Sequence, residues 1–118
     1  PNPVSLLDIY PTLVELTQTQ NRPHLDGISL VPWLKNPEAK SGRAILTTQG
    51  YQNHSVRSDR HRYIRYADGS EELYDHQTDN NEFTNLASKT EMKSIIKELQ
   101  EWLPKNEVAV APPKKTKK

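Results

Sequence analysis

The chain has 118 residues, 33% of them hydrophobic, and a mean hydropathy of -0.88, so it suits one domain with a thin core. The formal charge is only +1, and the positive excess sits at the end, where Lys114, Lys115, Lys117 and Lys118 follow Pro112-Pro113; such a run reads as a solvated tail and not as a nucleic-acid footprint. The absence of cysteine excludes disulfides and thiolate metal ligands, and no apolar run approaches the length of a membrane span.

The chain opens on Pro1-Asn2-Pro3, without a signal peptide, which reads as a cut through a longer polypeptide or as the product of initiator removal. Val4 to Leu16 is the first apolar element. Ser5 and Asp8 have capping-box spacing, whereas Pro11 would break a helix that had begun at Leu6. Both signals are met by a short 3₁₀ turn over Leu6–Asp8 and an α-helix starting near Pro11, where the missing N–H costs nothing. Leu6, Leu7, Tyr10, Leu13, Val14 and Leu16 leave little polar face, so the element is expected to be well buried. Gln18 to Gly27 reads as a loop with an Asp26-Gly27 turn. Ser29 is expected to cap a short helix, Leu30–Lys35, that Asn36-Pro37 ends.

From Arg43 onward the pattern changes to strands, expected at 43–49, 53–58, 61–67 and 71–75. Asp68-Gly69 is the signal of a two-residue hairpin turn. It pairs Tyr66 with Glu71, Arg65 with Glu72, Ile64 with Leu73, Tyr63 with Tyr74 and Arg62 with Asp75, placing two opposite-charge pairs directly across from each other. The turn at Ser58–His61 sets Arg57 opposite Arg62. Met92, Ile95, Ile96, Leu99, Trp102 and Leu103 then form a helical stripe, with Ser88 and Glu91 as its capping box and Pro104 as its stop. The fold class is therefore α+β: a four-stranded antiparallel meander with a C-terminal amphipathic helix packed on one face, preceded by one or two short helices. The domain spans 1–104, and 105–118 is a disordered Lys/Pro-rich tail.

Few groupings suggest chemistry. Asp75-His76 with Asp79, Asn80, Asn81 and Glu82 is rich in oxygen donors, but Asn80 stands where a calcium loop needs its turn glycine, so an Asx-rich turn is the simpler reading. His24, His54, His61 and His76 lack the i, i+4 spacing of a helical zinc site, and His61 reads as a solvated turn residue. His54 begins a strand beside the loop Gly50-Tyr51-Gln52-Asn53, a place where ligand contacts gather. Asn53-His54-Ser55 fits the glycosylation sequon. Basic and aromatic residues alternate from Arg57 to Tyr66, as in single-strand binders, but Asp75 and Glu72 are expected to answer Arg62 and Arg65.

Several blocks, in order, resemble the carboxy-terminal subdomain of the arylsulfatase family. They are Val4-Ser-Leu-Leu-Asp-Ile-Tyr-Pro-Thr-Leu13, Leu25-Asp-Gly-Ile-Ser-Leu30, Asn53-His-Ser-Val-Arg57, Tyr63-Ile-Arg-Tyr66, Glu72-Leu-Tyr-Asp75 and Asp79-Asn-Asn-Glu-Phe-Thr-Asn-Leu86. The last is similar to the family's D-P-x-E-x-x-N-L turn, with Asn80 in place of the usual proline. The pattern is nearest the iduronate-2-sulfatase-like, polysaccharide-acting branch. The resemblance implies a larger enzyme whose N-terminal α/β catalytic domain carries a calcium ion and a formylglycine nucleophile made within C/S-x-P-x-R. Neither cysteine nor Ser-x-Pro-x-Arg occurs in this chain, so no cofactor is expected here and the chain alone is expected to be inactive. It also implies a sulfated carbohydrate substrate for the whole enzyme, a periplasmic or secreted setting, and strand ends facing the cleft. Asn53, His54 and Arg57 are then the expected substrate-binding residues, with pairing to Asp75 or Asp59 as the structural alternative for Arg57. The rival reading is a freestanding α+β binding module for nucleic acid or another polyanion, and a third is an interaction domain that pairs an exposed apolar face with another chain.

Overall fold

A computed structural model describes residues 2–20, 23–109 and 111. A 3₁₀ turn, Leu6–Asp8, leads into helix α1, Ile9–Thr17, and a loop then reaches the short helix α2, Val31–Lys35. Strands β1 (Ile45–Thr48), β2 (His54–Arg57), β3 (His61–Arg65) and β4 (Glu71–Asp75) follow, and a 3₁₀ turn, Thr90–Met92, opens helix α3, Lys93–Gln100. The four strands form one antiparallel sheet in chain order. This is the expected α+β meander, with somewhat shorter strands.

The core lies between one sheet face and α3. Val56, Tyr63 and Leu73 line up across β2, β3 and β4 and are wholly excluded from solvent. Ile96, Leu99 and Leu103 pack down on them together with Ala44, while Met92 and Ile95 flank the cluster. This is the stripe that the helical spacing predicts. Its expected capping box is absent: Lys89, not Ser88, precedes the 3₁₀ turn, and no side chain caps it. Backbone bonds serve instead, since Lys89 N donates to the Leu86 carbonyl and Met92 N to that of Lys89.

Two further expectations are corrected. The β3–β4 register differs by one residue, because Ala67-Asp68-Gly69 forms a three-residue loop. Tyr66 N donates to the Ser70 carbonyl, Gly69 N to that of Tyr66, and Gly69 takes φ 84°. The Asp68 carboxylate steadies it by accepting from both the amide and the hydroxyl of Ser70. The pairs are therefore Tyr63–Leu73, Arg62–Tyr74 and His61–Asp75. A one-residue slip turns a strand over, and only the observed register aligns Leu73 with Tyr63 and Val56 in the core.

The second correction concerns α1, which is not well buried. Leu6 and Leu7 of the 3₁₀ turn and Ile9, Tyr10, Leu13 and Leu16 of α1 are all exposed; Pro11 and Val14 are half-buried, and the fully buried groups are polar. Asp8 and Thr12 are buried. The Asp8 carboxylate accepts from Ser5 N at 2.8 Å, which completes the expected capping box, from Ile28 N at 3.0 Å and from Arg43 Nη1 at 3.0 Å. Burial alone would raise its pKa, but these backbone and guanidinium donors together hold it below 3.8. Thr12 Oγ1 donates to the Asp8 carbonyl and accepts from Leu30 N. Gly27 completes the joint, because a Cβ there would stand 2.0 Å from the Leu7 carbonyl oxygen.

Candidate functional site

The three expected binding residues are not brought together. Asn53 closes the β1–β2 loop, whose Gly50 and Gln52 both have positive φ. Its side-chain amide donates to the Tyr51 carbonyl, and its Oδ1 accepts from Ala67 N, which clips this loop to the β3–β4 loop. His54 lies on the core side of β2 and is 2% exposed. Its Nδ1 is 2.9 Å from Thr48 Oγ1 and its Nε2 is 2.7 Å from Glu107 Oε1; Arg65 also reaches that carboxylate. Glu107 falls within the stretch expected as tail, while residues 112–118 of that stretch lie outside the described residues.

Arg57, at the far end of β2, projects from the opposite face. Arg62 is its direct cross-strand partner, as expected, and Tyr74 is next in line on β4. The expected Arg62–Asp75 pair does not form. Asp75 is instead gripped by Arg60 through two bonds, Nε at 2.9 Å and Nη2 at 2.5 Å. That grip, chiefly, lowers the Asp75 pKa from 3.8 to about 2. Arg62 turns to Glu82 at 3.1 Å, and His76 Nε2 approaches the other oxygen of the same carboxylate at 2.5 Å. Glu82 holds both from a left-handed backbone position, φ 58°. Arg65 is answered by Glu107, not by Glu72.

The result is a cluster in which Arg60 is paired with Asp75 and Arg62 with Glu82, while Arg57 feels Glu82 and Asp59 only through space. Among the described residues Arg57 has no carboxylate ion-pair partner; its one side-chain bond goes to the Arg60 carbonyl at 3.5 Å. Burial, and then the neighbouring Arg62 charge, push its pKa below the ordinary arginine value. Arg62 Nε is buried without a partner, as is Nε2 of His61, which is the first residue of β3 and half-buried, not a solvated turn residue. Sequence reasoning missed Arg60 and Glu107; it placed Glu82 in the Asx-rich turn but did not pair it with Arg62.

Among the described residues no three His, Cys, Asp or Glu side chains gather as a metal site requires. The Asp75-His76 pair does not suit calcium, since Arg60 occupies both oxygens of Asp75 and Glu82 occupies His76 Nε2.

Residues 2–109 match the family model described as N-sulphoglucosamine sulphohydrolase, C-terminal. The chain belongs to this sulfatase C-terminal family. The subdomain is 43% identical over 103 residues to a sulfatase of Formosa agariphila, covering 87% of this chain and 20% of that protein. It is 31% identical over 101 residues to a Delta 4,5-hexuronate-2-O-sulfatase of Bacteroides thetaiotaomicron, covering 78% and 21%. The solved structure of a 2-O GAG sulfatase superposes with a TM-score of 0.70 at 29% identity, covering 80% of this chain and 22% of that one. The sulfatase subdomain thus spans about a fifth of the length of these relatives.

The sequence blocks that carry the family resemblance now have physical meaning. Asp8 and Thr12 of the first block hold the loop formed by the second. In the last block Asn85 caps the edge of β4, accepting from Leu73 N at 3.0 Å and donating to the Glu71 carbonyl at 3.1 Å, while Leu86 N donates to Leu73 O. These contacts are joints of the fold.

Proposed function

We propose that the chain is the carboxy-terminal piece of a sulfuric ester hydrolase acting on sulfated polysaccharide of the glycosaminoglycan kind. In that enzyme it walls the substrate cleft, while nucleophile and metal come from the preceding α/β domain. The relatives named for 2-O-sulfated uronate and GAG chemistry support the substrate class. The single observation carrying the binding role is Arg57: a charged guanidinium on the sheet face away from α3, beside a second arginine and, among the described residues, without a carboxylate at ion-pair distance. A planar fork of this kind suits sulfate or uronate oxygens.

The three residues then divide by role. Arg57 contacts an anionic group of the sugar. Asn53 fixes the β1–β2 loop at the opposite end of the strand, and His54 is a positioning residue that holds that same end through Thr48 and Glu107. No sulfate-ester step is assigned to this chain, which has no cysteine and no Ser-x-Pro-x-Arg.

The test uses a chimera in which this chain replaces the matching C-terminal fifth of the Formosa agariphila sulfatase. Arg57→Ala is expected to raise KM for a sulfated disaccharide about tenfold or more, with kcat little changed. An unchanged KM would remove Arg57 from the cleft. The polyanion-module reading predicts instead that the isolated chain retards heparin or RNA with a steep salt dependence.

A further inference from the structure

We infer that His76, acting through Glu82, sets the net charge of the sheet face that carries Arg57 and makes its hold on an anionic sugar tighten as pH falls. This rests on the reading of Arg57 as an anion contact and adds the regulation of that contact. Glu82 stands between two donors: its Oε2 accepts from Arg62 Nη1 at 3.1 Å, and its Oε1 meets His76 Nε2 at 2.5 Å. Arg62 is the direct cross-strand partner of Arg57, and Arg57 feels the charges of both Arg62 and Glu82 through space.

A carboxylate only accepts, so Nε2 of His76 carries the hydrogen of this bond, and Nδ1 is the basic nitrogen of the neutral ring. Among the described residues Nδ1 has no hydrogen-bond partner, and the His76 side chain is 17% exposed, so a proton from solvent adds at Nδ1 without breaking the bond to Glu82. Both ends of that bond are held by backbone: His76 N donates to the Arg60 carbonyl at 2.9 Å, and Glu82 N to that of Asp79. Neutral His76 leaves the guanidinium groups of Arg57 and Arg62 against the Glu82 carboxylate. Protonated, it adds a third cation and shares the carboxylate that otherwise offsets the arginines.

The other groups facing this cluster keep their charge where an imidazole changes its own, between about pH 5 and 8. Arg62 comes from β3, and Arg57 and Asp59 from β2 and the turn after it. From β4, the Tyr74 hydroxyl donates to Glu72, and its pKa is pushed up to about 12 by burial and then by that hydrogen bond. Arg60 and Asp75 are bonded to each other, and the Asp75 pKa is held at about 2. His61 shares the Tyr63 side of β3, near Glu98 of α3, and burial lowers its pKa. His54 lies at the opposite end of β2, against Glu107. His76 is thus the group whose proton reaches the Arg57 face.

The experiment titrates the 118-residue chain with a sulfated, uronate-containing disaccharide at about pH 5.5 and about pH 8, on either side of the imidazole range, following the amide NMR signals of β2 and β3. The dissociation constant is expected to be about threefold lower at the acid pH, the size of one added charge acting near a solvated surface. His76→Gln, which keeps a donor for Glu82 but takes up no proton, should bind with a single affinity at both pH values. Arg57→Ala should lose the binding at both. Retained dispersion of the amide signals checks that each variant is folded. A pH response that survives in His76→Gln, or a parent chain without one, would overturn the role of His76; loss of binding in Arg57→Ala would then leave the Arg57 reading in place. Binding that survives Arg57→Ala would overturn both. Absence of binding at either pH would overturn the proposal, and the KM of the chimera would judge the reading beneath it.

Discussion

Single side chains decide how the N-terminal third is joined to the sheet. Asp8 answers donors from three residues from a fully buried position, and the Leu7 backbone runs against Gly27 with no room for a methyl group. Gly27→Ala is therefore expected to cost about 2 kcal/mol or more, because backbone must move to admit the methyl; chemical denaturation measures it, and an unchanged midpoint would contradict the close contact. Asp75 supplies a pH test. Its folded pKa of about 2 lies below the ordinary 3.8, so its contribution is fully present above that value and is lost as pH falls through the interval to about 2. Arg60→Ala should flatten the stability profile across this acid window and leave its shape at neutral pH unchanged. A profile identical to that of the parent chain would show that the Arg60–Asp75 grip does not hold in solution.

Elements with a strong period were legible in the sequence, and those governed by one residue of turn chemistry were not. The stripe from Met92 to Leu103 identifies α3 because burial against a sheet requires that spacing. Asp68-Gly69 identifies a hairpin, but Asp68 binds Ser70 and extends the loop to three residues, shifting every pair of β3 and β4 by one. That shift is why Arg62 finds Glu82 and Asp75 finds Arg60. The apolar pattern of α1 was legible as a helix and misread as a buried one, since Asp8 and Thr12, not its leucines, hold it to the rest of the chain. Within the candidate site, Arg57 was placed opposite Arg62 correctly, whereas the burial of His54 depends on Glu107, 53 positions away, which no local pattern announces. Asn85 gives this scale its own test. Asn85→Ala would leave the Leu73 amide and the Glu71 carbonyl at the β4 edge without their side-chain partner, a loss of about 1–3 kcal/mol. Hydrogen exchange at Leu73 should accelerate with it, and a protected Leu73 amide in the variant would contradict the capping role.

At the scale of the molecule, one sheet face is sealed by α3 and the other carries Arg57, Arg62, Glu72 and Tyr74, with an apolar helix standing outward beside the sheet. The sealed core should account for most of the chain's independent stability, so Ile96→Ala is expected to cost about 2–5 kcal/mol, while Leu13→Asp, on the exposed stripe, should cost little in the isolated chain. Equal losses for the two would contradict the division between a sealed core and an outward surface. The central claim, that this sulfatase subdomain supports ester cleavage without performing it, is tested most directly by sulfate release from an aryl sulfate. The 118-residue chain alone should show no turnover above the buffer rate, and the chimera with the Formosa agariphila portion should show it; turnover by the chain alone would contradict the account.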